Sequence, residues 1–319
     1  MNKSIIEKYK PTEYRDFHFF GNITNLIEMY INLNKMKLLI VGEHSTGKST
    51  LINVIINNYF KDVLPKDVND NILYVNPLQE QGISYYRNEV KIFCQTYCTV
   101  KNKKKLIIMD DFDLIHEQSQ QVFRSLIDKY ESNVNFIVST SNVYKIIDTI
   151  QSRLITVKIP NITSNILMNI CNKIIDNEKI TIEKETFNLF IKICDNNIQL
   201  MLQYLESFRL LNTKISDEII YDVCSHINHT VLDTYFNNLR NNDIEKSINN
   251  LLQLHSEGYN VMDILDAIFS YIKITKEITE EIKYKLIKYL CKFITIFHEI
   301  HEDEIELAIF TNNIIHLFQ

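Results

Sequence analysis

The residues best suited to chemistry form one short stretch, Gly42–Thr50, with the sequence G-E-H-S-T-G-K-S-T. It matches the phosphate-binding P-loop pattern at every fixed position. In this pattern the two glycines let backbone N–H groups converge on a polyphosphate. Lys48 reaches the β- and γ-phosphates as a point charge, and the hydroxyl of Ser49 binds Mg²⁺. The residues predicted to form this phosphate site are Gly42, Glu43, His44, Ser45, Thr46, Gly47, Lys48, Ser49 and Thr50.

Two carboxylates follow the apolar segment Lys105–Met109. Asp110 comes directly after this segment and is placed to complete the Mg²⁺ site of the P-loop. Asp111 occupies the position at which ATPases keep the carboxylate that activates water. The alternative is an acidic turn that only caps the next helix. The P-loop upstream favours the catalytic interpretation.

A parallel sheet is needed to position these residues. Apolar segments typical of strands alternate with helical segments, which indicates a parallel sheet covered by helices on both faces. Right-handed crossovers then place the P-loop at the carboxyl edge of the sheet, where ligands bind. The strands are predicted at 38–41, 71–76, 105–109, 134–140 and 155–159.

A helix is predicted at 82–94, with Ile83, Tyr86, Val90 and Phe93 on one face. Six cysteines occur in the chain, without a C-x-x-C pair or a Cys/His set at zinc spacing. Cys94 and Cys98 lie four apart, so they are expected to share a face of this helix. Packing or a free thiol is favoured over a metal site.

The strand pattern ends at Pro160, and the rest of the chain has helical spacing throughout. The predicted fold class is therefore α/β plus all-α. We place domain boundaries near Pro160 and near His226, which gives a P-loop domain at 1–160 and helical domains at 161–226 and 227–319. A chain of 319 residues is long enough for two or three domains.

Composition excludes some classes of protein. The chain is 45% hydrophobic and 23% charged, which is typical of a globular protein rather than a disordered one. It contains no apolar run of roughly 18 residues and no signal-peptide pattern, so we expect an intracellular protein without a membrane partner. The net charge of −6 is uneven, with +3 over residues 1–160 and −9 over residues 161–319. A polyanionic partner would favour the N-terminal half.

Several further motifs occur in a fixed order, and through them the chain resembles the small subunits of replication factor C, the clamp loader of the AAA+ ATPase family. The departures described below fit a divergent lineage, for instance a viral one, or a subunit whose main duty is structural. The motifs are I-E-K-Y-K-P ending at Pro11, Glu80-Gln81-Gly82-Ile83, the D-E-A-D box at Asp110–Asp113, Ile150-Gln151-Ser152-Arg153, and Glu257-Gly258-Tyr259.

The resemblance implies an AAA+ P-loop ATPase domain with a five-stranded parallel sheet, a helical lid and a helical collar for oligomerisation. ATP and Mg²⁺ are the implied ligands. Five such subunits would form a hetero-pentamer that opens a sliding clamp and places it on primer–template DNA. This activity belongs to the nucleus or another site of DNA replication, such as a viral factory.

The resemblance also assigns roles to individual residues. Tyr9, Lys10 and Pro11 would line the adenine pocket. Arg153 would be an arginine finger that acts in trans on the ATP of a neighbouring subunit; the alternative is an ordinary surface arginine. Arg87 and Lys91 lie four apart on one helix. By the resemblance they would bind DNA, through its phosphates rather than its bases. The alternative is a solvated helix face.

Three departures from the family pattern concern hydrolysis. Asp111 replaces the usual Glu, and its shorter side chain should misplace the attacking water. The sensor Asn of the family falls on Ser141, with Asn142 one residue later, and the sensor arginine of the lid falls near Gln199. Losing that cation removes stabilisation of the γ-phosphate. We therefore expect nucleotide binding with slow hydrolysis. The alternatives are a scaffold subunit that hydrolyses ATP poorly, or another AAA+ motor that processes DNA.

Overall fold

The computed structural model describes residues 3–61, 63–77, 82–211, 213–224, 227, 229–275, 278–297 and 303–318. The chain divides into two compact units, 1–215 and 216–319. Two sequence predictions, the motif residues Glu80 and Gln81 and the boundary at His226, lie outside the described residues. The division into three domains stays a prediction.

A single five-stranded sheet occupies the first unit in the described part of the chain. Every strand pair in it is parallel, which confirms the predicted sheet. The strand order, β2-β3-β4-β1-β5, places β4 between β1 and β3, so the carboxyl ends of these three strands meet at one edge. The strands are β1 (Lys37–Val41), β2 (Ile72–Val75), β3 (Lys105–Met109), β4 (Val134–Thr140) and β5 (Ile155–Lys158).

Helices cover both faces of this sheet. Side chains alternate along β1, so Leu38 and Ile40 belong to one apolar core and Leu39 to another. All three side chains are fully buried, and burial of one such side chain contributes about 1.5–3 kcal/mol. The helices of this part are α1 (Ile5–Lys8), α2 (Asn22–Asn32), α3 (Lys48–Tyr59), α4 (Pro65–Asp70), α5 (Ile83–Tyr85), α6 (Lys91–Gln95), α7 (Glu117–Tyr130) and α8 (Asp148–Gln151), with 3₁₀ turns at Tyr14–Asp16, Phe112–Leu114 and Val143–Lys145.

The helix predicted at 82–94 is present but contains a π-helical turn, Tyr86–Val90, between α5 and α6. The buried row on this helix is Tyr86, Val90 and Cys94, at a constant spacing of four, whereas Phe93 is only half-buried. The prediction that Tyr86, Val90 and Phe93 share a face is confirmed, since all three pack in or against one apolar core, and the more deeply buried Cys94 joins them there.

The helix ends at Gln95, because Thr96 takes an extended conformation (φ −83°, ψ 141°). Cys98 consequently lies beyond the helix. The expectation that it shares a helix face with Cys94 was wrong.

Three further helices belong to the first unit together with the sheet. Each buries an apolar stripe, such as Leu167, Cys171 and Ile174 on the first of them and Met201, Leu205 on the third. They are α9 (Ser164–Glu178), α10 (Lys184–Ile193) and α11 (Ile198–Leu211), and we refer to them as the lid helices.

The second unit is helical in its described residues and has its own apolar core. Within this core the Tyr235 hydroxyl and the Thr311 hydroxyl form a buried 3.1 Å hydrogen bond. None of the described helices of the chain is long and apolar enough to cross a membrane. The helices of this unit are α12 (Asp217–Val223), α13 (His229–Arg240), α14 (Ile244–Ser256), α15 (Val261–Ile274), α16 (Glu280–Phe297) and α17 (Ile305–Ile315).

Candidate nucleotide-binding site

The P-loop joins β1 to α3, and its two glycines serve different purposes. A β-carbon on Gly42 would lie 2.9 Å from Thr46 Oγ1 and 3.2 Å from Ile159 Cβ, so this position requires the absence of a side chain. Gly47 has φ +92° and caps α3 in the left-handed conformation that favours glycine. The loop therefore turns tightly and points the N-terminus of α3, with its partial positive charge, at the site.

Lys48 is the buried cation of this loop. Its side chain is folded back, and Nζ donates 2.9 Å hydrogen bonds to the carbonyls of Gly42 and Glu43. The residue is 6% exposed, and no ion pair among the described residues includes it. Burial lowers the pKa of Lys48, while the charges of Asp111, Asp110 and Asp113 act against this shift. A buried ammonium held only by carbonyls fits a site for an anion.

The acidic turn after β3 is fixed by hydroxyl groups at the end of β4. Ser139 Oγ donates to a carboxylate oxygen of Asp110 and accepts a 3.2 Å hydrogen bond from the backbone N–H of Asp111. Ser141 Oγ donates to Asp113 Oδ2 at 2.8 Å. Because β3 and β4 are adjacent in the sheet, these short side chains reach one another across the strand ends.

Asp111 has an unusual conformation, with φ 51° and ψ 49°. A residue other than glycine in the left-handed region stores backbone strain, which is common at functional sites. Burial raises the pKa of Asp111, and the neighbouring Asp110 raises it further. Asp111 also lines the cavity described next.

A cavity of about 720 Å³ lies in the first unit, where the P-loop, the acidic turn, the N-terminal segment and the lid helices meet. This volume is in the range of small-ligand sites. The sequence-predicted residues that line it are Tyr9, Lys10, Pro11, His44, Ser45, Thr46, Gly47, Lys48, Ser49, Thr50, Asp111 and Gln199. Of the other described candidates, Gly42, Glu43, Asp110, Ser141, Asn142, Arg153, Arg87 and Lys91 do not line it.

Sequence reasoning missed several residues of the cavity wall. Phe17 and His18 come from the N-terminal segment, and Lys173 comes from α9. Asp16 also lines the cavity and accepts 3.0 Å hydrogen bonds from the backbone N–H groups of Thr12 and Glu13. No motif marks these residues, because their roles depend on contacts between distant segments.

The positions aligned with the sensor residues are occupied as follows. The Ser141 hydroxyl is bonded to Asp113. The side-chain oxygen of Asn142 accepts a 3.0 Å hydrogen bond from the backbone N–H of Tyr144 and so caps the 3₁₀ turn Val143–Lys145. Gln199 lies in the first turn of α11 and lines the cavity. A neutral amide thus stands at the cavity wall where the family pattern has an arginine.

Arg153 lies after α8 and is held on the protein surface. Its Nε donates to Asp128 Oδ1 at 2.6 Å, and Nη1 donates to the carbonyl of Thr149 at 2.7 Å. The side chain is 30% exposed. These contacts fix the guanidinium away from the cavity of its own subunit.

Arg87 and Lys91 each follow a buried residue of the row Tyr86, Val90 and Cys94. They are therefore four apart as well, and both are exposed. Two lysines just before β3 are bonded to the chain itself. Lys103 Nζ donates to the carbonyl of Tyr59, and Lys104 Nζ donates to the carbonyl of Glu131 at 2.8 Å.

Comparison with known proteins gives two family matches. Residues 34–158 match the AAA domain, and residues 227–297 match the replication factor C C-terminal domain. Human replication factor C subunit 5 is 24% identical over 273 residues, which cover 85% of this chain and 79% of the relative.

Two solved structures from Thermotoga maritima have a similar fold. A DNA polymerase III gamma subunit-related protein gives a TM-score of 0.52 at 12% identity, covering 93% of this chain and 98% of that one. The RuvB Holliday junction branch migration motor gives 0.51 at 14% identity, covering 84% and 86%.

The sheet, the P-loop and the lid helices therefore have the fold of the AAA+ class of P-loop proteins, and residues 34–158 match its AAA domain. Within this class the chain is related to the small subunits of replication factor C, and the resemblance seen in its motifs is confirmed over most of its length.

Proposed function

We propose that the chain is an ATP-dependent small subunit of a clamp loader, which acts in a hetero-pentamer to open a sliding clamp and place it on primer–template DNA. The observation that carries this proposal is the 720 Å³ cavity in which the P-loop residues His44–Thr50, Asp111 and the lid helices converge. Its setting would be a compartment of DNA replication, the nucleus or a viral factory.

The fold alone does not separate a clamp loader from a branch migration motor, since both kinds of structure give similar TM-scores. The match of residues 227–297 to the replication factor C C-terminal domain favours the clamp loader, as does the similarity to human replication factor C subunit 5 over 85% of this chain.

The site fits ATP and Mg²⁺. The loop around Gly47 and the buried Lys48 would hold the phosphates, and Tyr9, Lys10 and Pro11 would lie beside the base. The oxygens of Ser49 and Asp110 are the hard ligands that Mg²⁺ prefers. Bound there, the ion would neutralise charge on the β- and γ-phosphate oxygens.

In the proposed reaction a water oxygen attacks the γ-phosphorus while the bond to the bridging oxygen of ADP breaks. Asp111, which lines the cavity, would orient this water and accept its proton. Arg153 of a neighbouring subunit would stabilise the charge that develops on the transferred group.

Lengthening the carboxylate at position 111 tests this assignment. Asp111→Glu should raise the ATPase rate of the assembled ring by up to about tenfold, since misplacing a reacting group by ~1 Å costs up to ~10²-fold. The measurement is steady-state phosphate release, with Asp111→Asn as the control that removes the base. A rate that falls or stays flat in the Glu variant would mean that Asp111 is not the base or that the site requires the shorter side chain.

A second candidate function is a scaffold subunit of the same assembly that binds ATP but hydrolyses it poorly. Gln199 at the cavity wall favours it, because a neutral amide gives the γ-phosphate less stabilisation than an arginine. Ser141 favours it too, since its hydroxyl is already bonded to Asp113. In this case Arg153 would serve the chemistry of the neighbouring subunit.

Clamp loading by the native complex tests the proposed function. The tagged chain should co-purify with other AAA+ subunits, and the complex should retain a sliding clamp on primed circular DNA in the presence of ATP. In the complex with Arg87→Ala and Lys91→Ala, DNA binding should weaken. The slope of log affinity against log salt should flatten by about one unit per lost phosphate contact.

The matched control removes two exposed lysines on another surface, Lys61 and Lys66. A complex that retains no clamp would contradict the clamp-loader proposal. Retention of the clamp with an unaltered salt slope would instead assign Arg87 and Lys91 to a solvated face.

A further inference from the structure

Glu178, the last residue of lid helix α9, gathers three donors from distant parts of the chain. Its Oε1 accepts hydrogen bonds from Lys8 Nζ at 2.6 Å and from the Tyr9 hydroxyl at 2.8 Å. Arg209 of α11 lies 3.6 Å from Oε2. The Glu178 side chain is only 9% exposed. The hydrogen bond from Lys8 lowers the pKa of Glu178, and the bond from Tyr9 adds to this, so the group is a carboxylate at neutral pH.

A second carboxylate attaches the same segment to the lid helices. Glu206 of α11 accepts a hydrogen bond from the backbone N–H of Ile5 and pairs with Arg209. Ile5 itself is fully buried. Helix α1 is therefore bound to α9 and α11 through polar and apolar contacts together.

The attachment matters because the chain passes directly from α1 into Tyr9, Lys10 and Pro11, which line the cavity. Tyr9, Lys10 and Pro11 are thus attached to the lid helices, which also contribute Ile174 and Leu202 to the cavity lining. The P-loop residues of the lining lie between β1 and α3 and at the start of α3. These two groups of lining residues therefore have separate supports.

We propose that Glu178 is a positioning residue for the nucleoside part of the nucleotide, which it serves by holding the Tyr9–Pro11 wall on the lid helices. This inference rests on the proposed function, in that the cavity binds a nucleotide. The triphosphate end depends on the P-loop, so it is independent of Glu178.

Two ligands separate these contributions. ATP uses both ends of the cavity, whereas inorganic tripolyphosphate has no nucleoside. In Glu178→Ala we expect the affinity of the isolated chain for ATP–Mg²⁺ to fall roughly tenfold or more, the scale of a lost charge-assisted hydrogen bond. Affinity for tripolyphosphate–Mg²⁺ should stay unchanged. Glu178→Gln, which keeps an acceptor for Tyr9 but loses the charge, should have a smaller effect on ATP. Isothermal titration calorimetry measures both ligands.

The matched control is Glu183→Ala, which removes a lid carboxylate in an exposed ion pair with Lys214 and should change neither affinity. Tyr9→Phe is a second variant that keeps the ring and removes only its hydroxyl; it should lower ATP affinity and leave tripolyphosphate binding intact. Thermal unfolding of each variant checks that it is folded.

An equal loss of both affinities in folded Glu178→Ala, or no loss of either, would overturn the inference. The inference would also be overturned if the Tyr9→Phe variant and the Glu178→Gln variant both kept the ATP affinity of the unaltered chain. If the unaltered chain binds neither ligand, it is the proposed function that fails, and the two failures are distinguishable.

Discussion

Replacing Lys48 by alanine should abolish measurable ATP–Mg²⁺ binding by the isolated chain. Lys48 is 6% exposed, and its ammonium is bonded only to the carbonyls of Gly42 and Glu43. It is therefore available to exchange these bonds for contacts with two phosphates. Each charge-assisted hydrogen bond contributes about 1.5–3 kcal/mol, so the loss of two should weaken binding by ~100-fold or more. Titration with a fluorescent ATP analogue measures the change.

The same substitution should abolish binding of inorganic tripolyphosphate, which distinguishes it from substitution of Glu178. Lys61→Ala, which removes an exposed lysine just after α3, is the matched control and should leave both affinities unaltered. Thermal unfolding checks that the variant keeps its fold without the two carbonyl contacts. Unchanged ATP affinity in folded Lys48→Ala would contradict the assignment of the P-loop.

The geometry of the P-loop could be predicted because its requirements are local. A tight turn, a left-handed residue and a cation must follow one another within a few positions of a strand, and Gly42, Gly47 and Lys48 meet these demands in one stretch. The parallel sheet was predictable for a related reason. Strands buried on both faces need unbroken apolar segments such as Leu106–Ile108.

The attachment of the Tyr9–Pro11 segment to the lid helices could not be predicted in the same way. Glu178 meets Lys8 and Tyr9 across about 170 positions of sequence, and no spacing rule connects them. The bond between Ser139 and Asp110 is equally hidden, because it depends on which strands are neighbours. Strand order is set by tertiary packing rather than by the pattern of any one strand.

Local irregularities also escaped the sequence pattern. A π-helical turn lies at Tyr86–Val90, and Cys94 is fully buried in the core against which Phe93 is only partly buried. The helix then ends at Gln95, where Lys105 Nζ donates to the side chain of Thr96 and its ammonium lies 4.3 Å from the centre of the Phe93 ring. These contacts come from the start of β3 and stabilise an ending that the helical periodicity gave no reason to expect.

Arg153 is expected to act on the nucleotide of a neighbouring subunit. It follows α8 and is fixed by Asp128 and the Thr149 carbonyl, and it does not line the cavity of its own subunit. Two of its donors are used within the subunit, and the guanidinium carries five. The remaining donors, on a side chain that is 30% exposed, are available to a partner across an interface.

In the proposed ring this placement would couple hydrolysis to assembly, because an isolated subunit would lack the cation at its γ-phosphate. Supplying an arginine finger increases the rate by ~10³-fold or more in other P-loop enzymes. With Asp111 and Gln199 in this chain we expect a smaller factor at its own site. In the proposed ring, Arg153 would serve the site of the neighbouring subunit. The rate lost when Arg153 is removed should therefore depend on the neighbour's catalytic residues.

A mixing experiment measures the effect. Arg153→Ala should leave ATP binding by the isolated chain intact and lower steady-state turnover at the adjacent site of the reconstituted ring by about tenfold or more, which corresponds to ~1.4 kcal/mol of barrier. Arg153→Lys keeps the charge but not the planar set of donors, so it should restore only part of the rate. Lys129→Ala removes an exposed charge next to Asp128 and serves as the control.

The lost turnover should belong to the adjacent subunit. Adding Arg153→Ala to a P-loop substitution in that neighbour should therefore cause no further loss of turnover, since the P-loop substitution alone already inactivates the shared site. Additive losses would place the effect elsewhere. Weaker ATP binding by the isolated Arg153→Ala chain would show that Arg153 acts in cis, which would contradict the ring arrangement of this site.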